Sequence, residues 1–258
     1  MISRLSAITL NTYREAVRDR VLYNLILFVL LLLASAPLFG AISLDIERLI
    51  LVNLGLSSIS FFGVVIAIFI GIGLVSKEID KKTLYTILSR PVRRWEFILG
   101  KYCGLVLTLV VNATLMAAGF YVALLIIQRG LTRADSGLLV AIYFIILTFL
   151  MVTAITLLFS SFSSPVFSAL FAFALFAIGT FADDLHNLAA SAQGVTKWFA
   201  TAAMYAVPNF SSLNVINQAA HGQPVSGILI LNNTLYALLY SAAVLAGAVL
   251  IFERRQLK

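Results

Sequence analysis

The sequence has little charge. Only 11% of its 258 residues are Asp, Glu, Lys or Arg, against 61% hydrophobic, and mean hydropathy is +1.03. A water-soluble domain of this size carries about a quarter of its residues as charges, so lipid rather than water must solvate this surface. Cysteine is nearly absent: Cys103 stands alone, which excludes an intrachain disulfide and gives no redox signal. No phosphate loop is present, because Gly100-Lys101 is followed by Tyr102 and has no upstream glycine at the required spacing. A G-x-S-x-G elbow and an H-E-x-x-H metal helix are missing too. The two histidines, His186 and His221, lie far apart and read as solvated loop residues rather than metal ligands. No catalytic, cofactor or metal site is therefore expected on this chain.

Carboxylates are absent from the middle of every apolar run. Glu15, Asp19, Asp45, Glu47, Glu78, Asp80, Glu96, Asp135, Asp183, Asp184 and Glu253 all flank such runs. A charge at mid-bilayer costs at least ~2.5–3.5 kcal/mol on insertion scales and is kept there for use, as in an ion relay. Proton- or sodium-coupled transport and a charged pore are accordingly disfavoured. Lys101 is the deepest basic residue and is expected to snorkel toward the membrane surface. The mid-run polar residues Asn112, Thr114, Thr153, Thr156, Asn232 and Asn233 are neutral, and are expected to hydrogen-bond between helices. If the protein does work, its energy comes from outside the chain.

What the sequence has in plenty is long apolar runs. Six occur, near 21–43, 52–75, 97–127, 138–159, 166–182 and 228–252. Each approaches the length of about 20 residues that a membrane-spanning helix needs, and together they leave only short connections. The third exceeds a span and should tilt or project; the fifth is the shortest. The expected fold is an all-α membrane protein of six transmembrane helices. Residues 1–20 precede them as an interfacial helix with Ile2, Leu5, Ile8, Tyr13, Ala16 and Val17 on one face and Arg4, Asn11, Arg14, Glu15 and Arg18 on the other. Those charges, with no apolar stretch among them, are unlike a cleavable signal peptide. Residues 21–258 form the transmembrane unit, interrupted by a loop at 76–96 and a longer segment at 183–227.

Net charge is +7, and its placement speaks of topology and anionic lipid, not nucleic acid. With the N-terminus inside, Arg4, Arg14, Arg18, Arg20, the cluster from Lys77 to Lys101 and the tail Arg254, Arg255 and Lys258 are all cytoplasmic. That is fourteen of the 18 basic residues. Arg48, Arg129, Arg133 and Lys197 are the four outside. The positive-inside rule thus predicts both termini in the cytoplasm of a bacterial inner membrane. The segment 183–227 is then external; within it VTKWFATAAMYAVP reads as a short amphipathic helix stopped by Pro208.

The stretch 76–101 is the most informative. A short helix from Lys77 to about Leu88 would set Ile79, Thr83, Leu84, Ile87 and Leu88 in one apolar stripe among Lys77, Asp80, Lys81 and Lys82. Arg90 precedes Pro91 and is pushed out of the helical region, while Pro91 suits the first turn of the next helix with Ser89 as its cap. The product is an elbow that fits either docking into another protein or lying on anionic lipid.

Glu78, Thr83-Leu84, Leu88-Ser89, Pro91, Arg94-Trp95-Glu96 and Gly100-Lys101 resemble the loop between spans two and three of ABC-2 type permeases. Tyr13-Arg14-Glu15 resembles the connecting helix of that family, and Phe252-Glu253-Arg254-Arg255 its usual ending. Length and span number match as well. Two positions depart from the pattern: Lys82 stands for a common glycine and Tyr85 for a common acidic residue. The resemblance implies an ABC-2, type V exporter-like architecture. It further implies a homo- or heterodimer of permeases with two cytoplasmic ATPase subunits that carry the ATP and Mg. Lys77, Glu78, Thr83, Leu84, Leu88, Pro91, Arg94 and Glu96 would couple to the ATPase, with Tyr13, Arg14 and Glu15 in the connecting helix beside them. The family exports lipids, glycans, drugs or peptides, and a subset serves metalloenzyme maturation; Trp198 and the Pro208-Asn209-Phe210 turn are similar to that subset. Two other readings stand beside this one. An intramembrane or lipid-modifying enzyme would have to use Asp183, Asp184 and His186. A scaffold would bind an ATPase without moving cargo.

Overall fold

A computed structural model of the chain describes residues 2–17, 44–80, 94–128, 133–184, 198, 201 and 207–254. The apolar run 21–43, the loop residues 81–93 with Thr83, Leu84, Leu88 and Pro91, most of 185–206 including His186, and the tail 255–258 lie outside them. Seven α-helices follow in order: α1 (Ile2–Ala16), α2 (Leu44–Asp80), α3 (Arg94–Gln128), α4 (Gly137–Phe162), α5 (Pro165–Thr180), α6 (Ile216–Ala220) and α7 (Gly227–Arg254). Single 3-10 turns stand at Arg133–Ser136 and Ser211–Leu213. Among the described residues, Arg48–Gly73, Trp95–Ile126, Gly137–Phe162 and Gly227–Glu253 are long and apolar enough to cross a membrane, and Pro165–Thr180 is a shorter apolar helix. Four of the expected spans are thus present at full length.

The fifth is short for a local reason. Pro165 occupies the first turn of α5 and holds Ser164 extended, at φ −75° and ψ 161°, so that Ser163-Ser164 turns the chain out of α4. At its other end, α5 stops at a turn at Phe181 before helical backbone resumes at 182–184. Its 16 residues reach about 24 Å, short of the ~30 Å hydrocarbon core. In contrast, α2 has 37 residues, about 55 Å, and carries Lys77 and Glu78 on its own last turns. The helix runs on through Lys77 to Asp80, since the sequence from Leu74 to Asp80 holds no proline or glycine to end it.

α4 is the central helix. It is apolar on all sides, as a helix enclosed by other helices must be, and Leu138, Phe144, Met151, Thr153 and Ala154 are wholly buried. α2 lies so close against it that a Cβ on Gly63 would stand 1.9 Å from the Phe149 ring. The polar side chains of α4 look inward to its own backbone: Thr148, Thr153 and Thr156 donate to Phe144, Phe149 and Val152 carbonyls at 3.1, 2.7 and 2.8 Å. Thr114 on α3 likewise donates to Val110. The expectation of interhelical bonds fails for these threonines, since a carbonyl one turn back is always within reach of a helical hydroxyl. The Asn233 amide donates instead to the Ser212 carbonyl of the 3-10 turn at 2.7 Å, while Tyr143 and Thr234 bond across α4 and α7 at 2.8 Å.

At the end of the bundle opposite α1, residues 207–220 fold back onto the helices. The Phe210 N–H donates to the Gly179 carbonyl and the Asn209 N–H to the Tyr236 hydroxyl. Asn209 Oδ1 accepts from Ser211 Oγ and the Ser212 N–H. The Phe210 ring, 3% exposed, packs 5.3 Å from Phe176. His221 follows in a turn, with Nδ1 2.8 Å from the Asn217 carbonyl. On the same end Arg48 of α2 donates to Asp135 Oδ1 at 2.8 Å and to the Ala220 carbonyl at 3.3 Å, while Tyr121 of α3 donates to the Asp135 carbonyl at 2.9 Å. One ion pair thereby ties α2, α3, α6 and the turn before α4. The Asp135 side chain is 3% exposed and that of Arg48 28%. Asp135→Ala should lower unfolding stability in detergent by about 2–3 kcal/mol, less than the ~3–5 for a fully buried pair because Arg48 retains access to solvent. A thermal melt unchanged by the substitution would contradict this.

Candidate functional site

The described residues around the loop singled out by the sequence gather at the α1 end of the bundle, where α1 lies along the first half of α3. The approach is set by two glycines. A Cβ on Gly100 would stand 2.6 Å from Ile8 Cγ2, and one on Gly104 would stand 2.5 Å from Thr12 Cβ and 2.8 Å from the Thr9 carbonyl. Gly100 and Gly104 are four apart, so both face α1, the spacing by which membrane helices bring their backbones together. Thr9 adds a long hydrogen bond to the Gly100 carbonyl at 3.4 Å. Thr12 and Ala16 are completely buried.

Charge completes the junction. Lys101 is 2% exposed, and its Nζ lies 3.6 Å from Glu15 Oε2 and 5.8 Å from the centre of the Phe97 ring. The separation is an ion pair rather than a hydrogen bond. The expected snorkelling of Lys101 is therefore corrected: its neighbours turn it into the protein, where a carboxylate and a ring face meet it. Around it Ala16, Phe97, Leu105, Ala154, Leu157 and Phe252 form a small core apart from the main one, with the Phe97 and Phe252 rings stacked at 5.9 Å. Four helices, α1, α3, α4 and α7, meet there.

The sequence-predicted site residues divide into three groups. Lys77 and Glu78 lie on the last turns of α2, and Arg94 opens α3. Glu96, in the first turn of α3, suits the positive helix N-terminus and is only 4% exposed. On α1, Arg14 is exposed, and Tyr13 and Glu15 are partly buried. Thr83, Leu84, Leu88 and Pro91 lie outside the described residues. The interfacial reading of 1–20 set Ala16 on the apolar face and Glu15 on the opposite, charged face, and assigned no role to Thr9 and Thr12. The G-x-x-x-G of Gly100 and Gly104 was the signal for the missing contact surface.

Among the described residues no three His, Cys, Asp or Glu side chains gather as metal ligands. Asp183 and Asp184 are exposed beyond the end of α5. What the α1 junction offers is mechanical. It packs α1 closely against the helix that follows residues 81–93. Gly104→Leu should wedge α1 away, at a cost of about 1–3 kcal/mol. With Thr12→Cys in a Cys103→Ser background, the buried thiol should resist a water-soluble maleimide and become reactive once Gly104→Leu is added. Equal reactivity in both proteins would refute the close packing.

No curated protein matches this chain. The family model for ABC-2 family transporter proteins matches residues 6–257, α1 and all of the long helices included. That match agrees with a multi-pass helical membrane protein and with a transport component rather than an enzyme. Permeases of this kind work with an ATPase partner. The chain belongs to the ABC-2 transporter family and is a permease subunit of an ABC transporter.

Proposed function

We propose that the chain is an exporter permease, driven by ATP hydrolysis on two copies of a separate cytoplasmic ATPase and working as a dimer of permeases in a bacterial inner membrane. Both termini are cytoplasmic in this reading, supported by the fourteen of 18 basic residues at that face. ATP and Mg reside on the partner, and this chain needs no cofactor. The residues 76–96 dock on the ATPase through Lys77, Glu78, Thr83, Leu84, Leu88, Pro91 and Arg94. Glu96 contributes from inside, by holding the start of α3. The external segment 183–227 faces away from the ATPase.

The observation that carries this reading is the α1–α3 junction. A loop that only rested on lipid would need no built contact behind it. Here the helix leaving the loop is packed at Gly100 and Gly104 against α1 and paired through Lys101 to Glu15, so a push on the loop moves α1 and α3 together. The small core at Phe97 and Phe252 passes that motion to α4 and α7.

In proteoliposomes containing permease and ATPase, Lys77→Glu with Arg94→Glu should abolish permease-dependent stimulation of ATP hydrolysis while the permease still inserts. Lys101→Glu and Glu15→Lys should each reduce stimulation by about tenfold or more, since each leaves like charges in a poorly solvated site. The charge-exchanged double variant should recover most of it. Normal stimulation in the first pair would sink the docking assignment. Failure of the exchange to restore activity would show that the ion pair is not the link.

A further inference from the structure

At the end of the bundle opposite α1, a half-open recess of about 190 Å³ lies between α2, α4, α5 and the folded-back segment 210–216. Its polar lining comes from four separate elements: Ser57 and Ser60 of α2, Thr148 of α4, Thr180 of α5 and Asn214. Phe61, Phe176 and Phe210 supply aromatic wall. Five uncharged polar side chains converge here, and among the described residues no ionisable one lines the space.

The hydrogen-bond capacity of this lining is specific. Thr148 and Thr180 spend their protons on the Phe144 and Ala177 carbonyls at 3.1 and 2.6 Å, so toward the recess they offer acceptor lone pairs. Asn214 accepts from the Ile216 N–H through Oδ1 at 3.3 Å, which leaves its NH₂ as a donor. Ser57 and Ser60 offer hydroxyls of either sense. Such a set prefers a group that brings several O–H donors with oxygens among them. Among the described residues an anion would find no cation in the lining. A dehydrated metal ion needs oxygens at about 2.3–2.6 Å all round, which a lining walled by Phe61, Phe176 and Phe210 does not supply. A recess of this size suits one ring-sized polar group. One wall is also fixed in advance: Asn209 bonds Ser211 and Ser212 and is held by Tyr236, and Phe210 is bonded to Gly179, so little order has to be gained on binding.

We propose that this recess binds an uncharged, hydroxyl-rich group attached to an apolar body, and that it is a cargo-contacting site of the permease. The second half rests on the permease reading; the first does not. The apolar body would lie along Phe61, which is 52% exposed, and the hydroxylated head would sit among Ser60, Thr148 and Asn214.

The test uses the full chain in proteoliposomes with Ser60→Cys in a Cys103→Ser background, labelled by N-ethylmaleimide. Methyl glucoside is the probe, with glucuronate as its charged counterpart of similar size. Methyl glucoside should slow labelling saturably, reaching about tenfold at about ten times its half-effect concentration, and glucuronate should not. Adding Thr148→Val, which keeps the shape and removes the acceptor, should cut the protection to less than about twofold. A cysteine placed instead at Ser226, which is not among the residues that line the recess, should be protected by neither compound. Four results would overturn the proposal: no labelling of S60C at all, no slowing by methyl glucoside, equal slowing by glucuronate, or undiminished protection with Thr148→Val. Because labelling needs no ATPase, its outcome is separate from that of the coupling experiments. Protection without ATPase stimulation would retain the site and remove the transport role.

Discussion

A polar group inside hydrocarbon has no water to turn to, so every one must be answered by the protein itself. Much of the structure follows from how these answers are found. Where the group is a hydroxyl on a helix, its own backbone suffices, and the central α4 takes Thr148, Thr153, Thr156, Ser160 and Ser161 in this way. Where it is a charge, the answer must come from another element, and the charge then becomes a joint. Arg48 and Asp135 make one such joint at one end of the bundle. Glu15 and Lys101 make the other.

The two joints differ in what they hold. Arg48 and Asp135 tie together helices that already belong to the bundle, and add rigidity at that end. Glu15 and Lys101 bind an N-terminal helix that has no place in the main core. α1 reaches the bundle only because Gly100 and Gly104 present no side chain to it. Close approach shortens the distance over which the ion pair acts, and the ion pair in turn fixes the register of the approach. An input arriving at the beginning of α3 therefore meets a composite of two helices rather than one. That composite is attached through Phe97 and Phe252 to α7 and through Leu157 to α4.

Much of this was legible in the sequence, and the rest was hidden for physical reasons. Long apolar runs announce helices whatever their neighbours are, so the four full-length spans appear where hydropathy put them. The proline after Ser163-Ser164 marks the start of α5 for the same local reason. Partner choice is another matter. Periodicity sorts residues by polarity, and α1 does not bury by polarity alone: Thr9 and Thr12 meet α3 because they are small enough to lie over a glycine. Lys101 looked like a residue that would reach for the surface because the sequence says nothing of Glu15 beside it. The recess near Asn214 had no linear signature at all, its lining being drawn from four elements.

In the proposed coupling, α1 and α3 move as a single body during the ATPase cycle. The most direct measurement is a pulsed electron-paramagnetic-resonance distance between spin labels at Leu10 on α1 and Leu107 on α3, both exposed at 46% and 40%, in a Cys103→Ser permease assembled with its ATPase. One narrow distance distribution should stay the same without nucleotide, with ATP trapped and after hydrolysis. A distribution that shifts or splits between those states would show that α1 swings on α3, and would contradict that coupling.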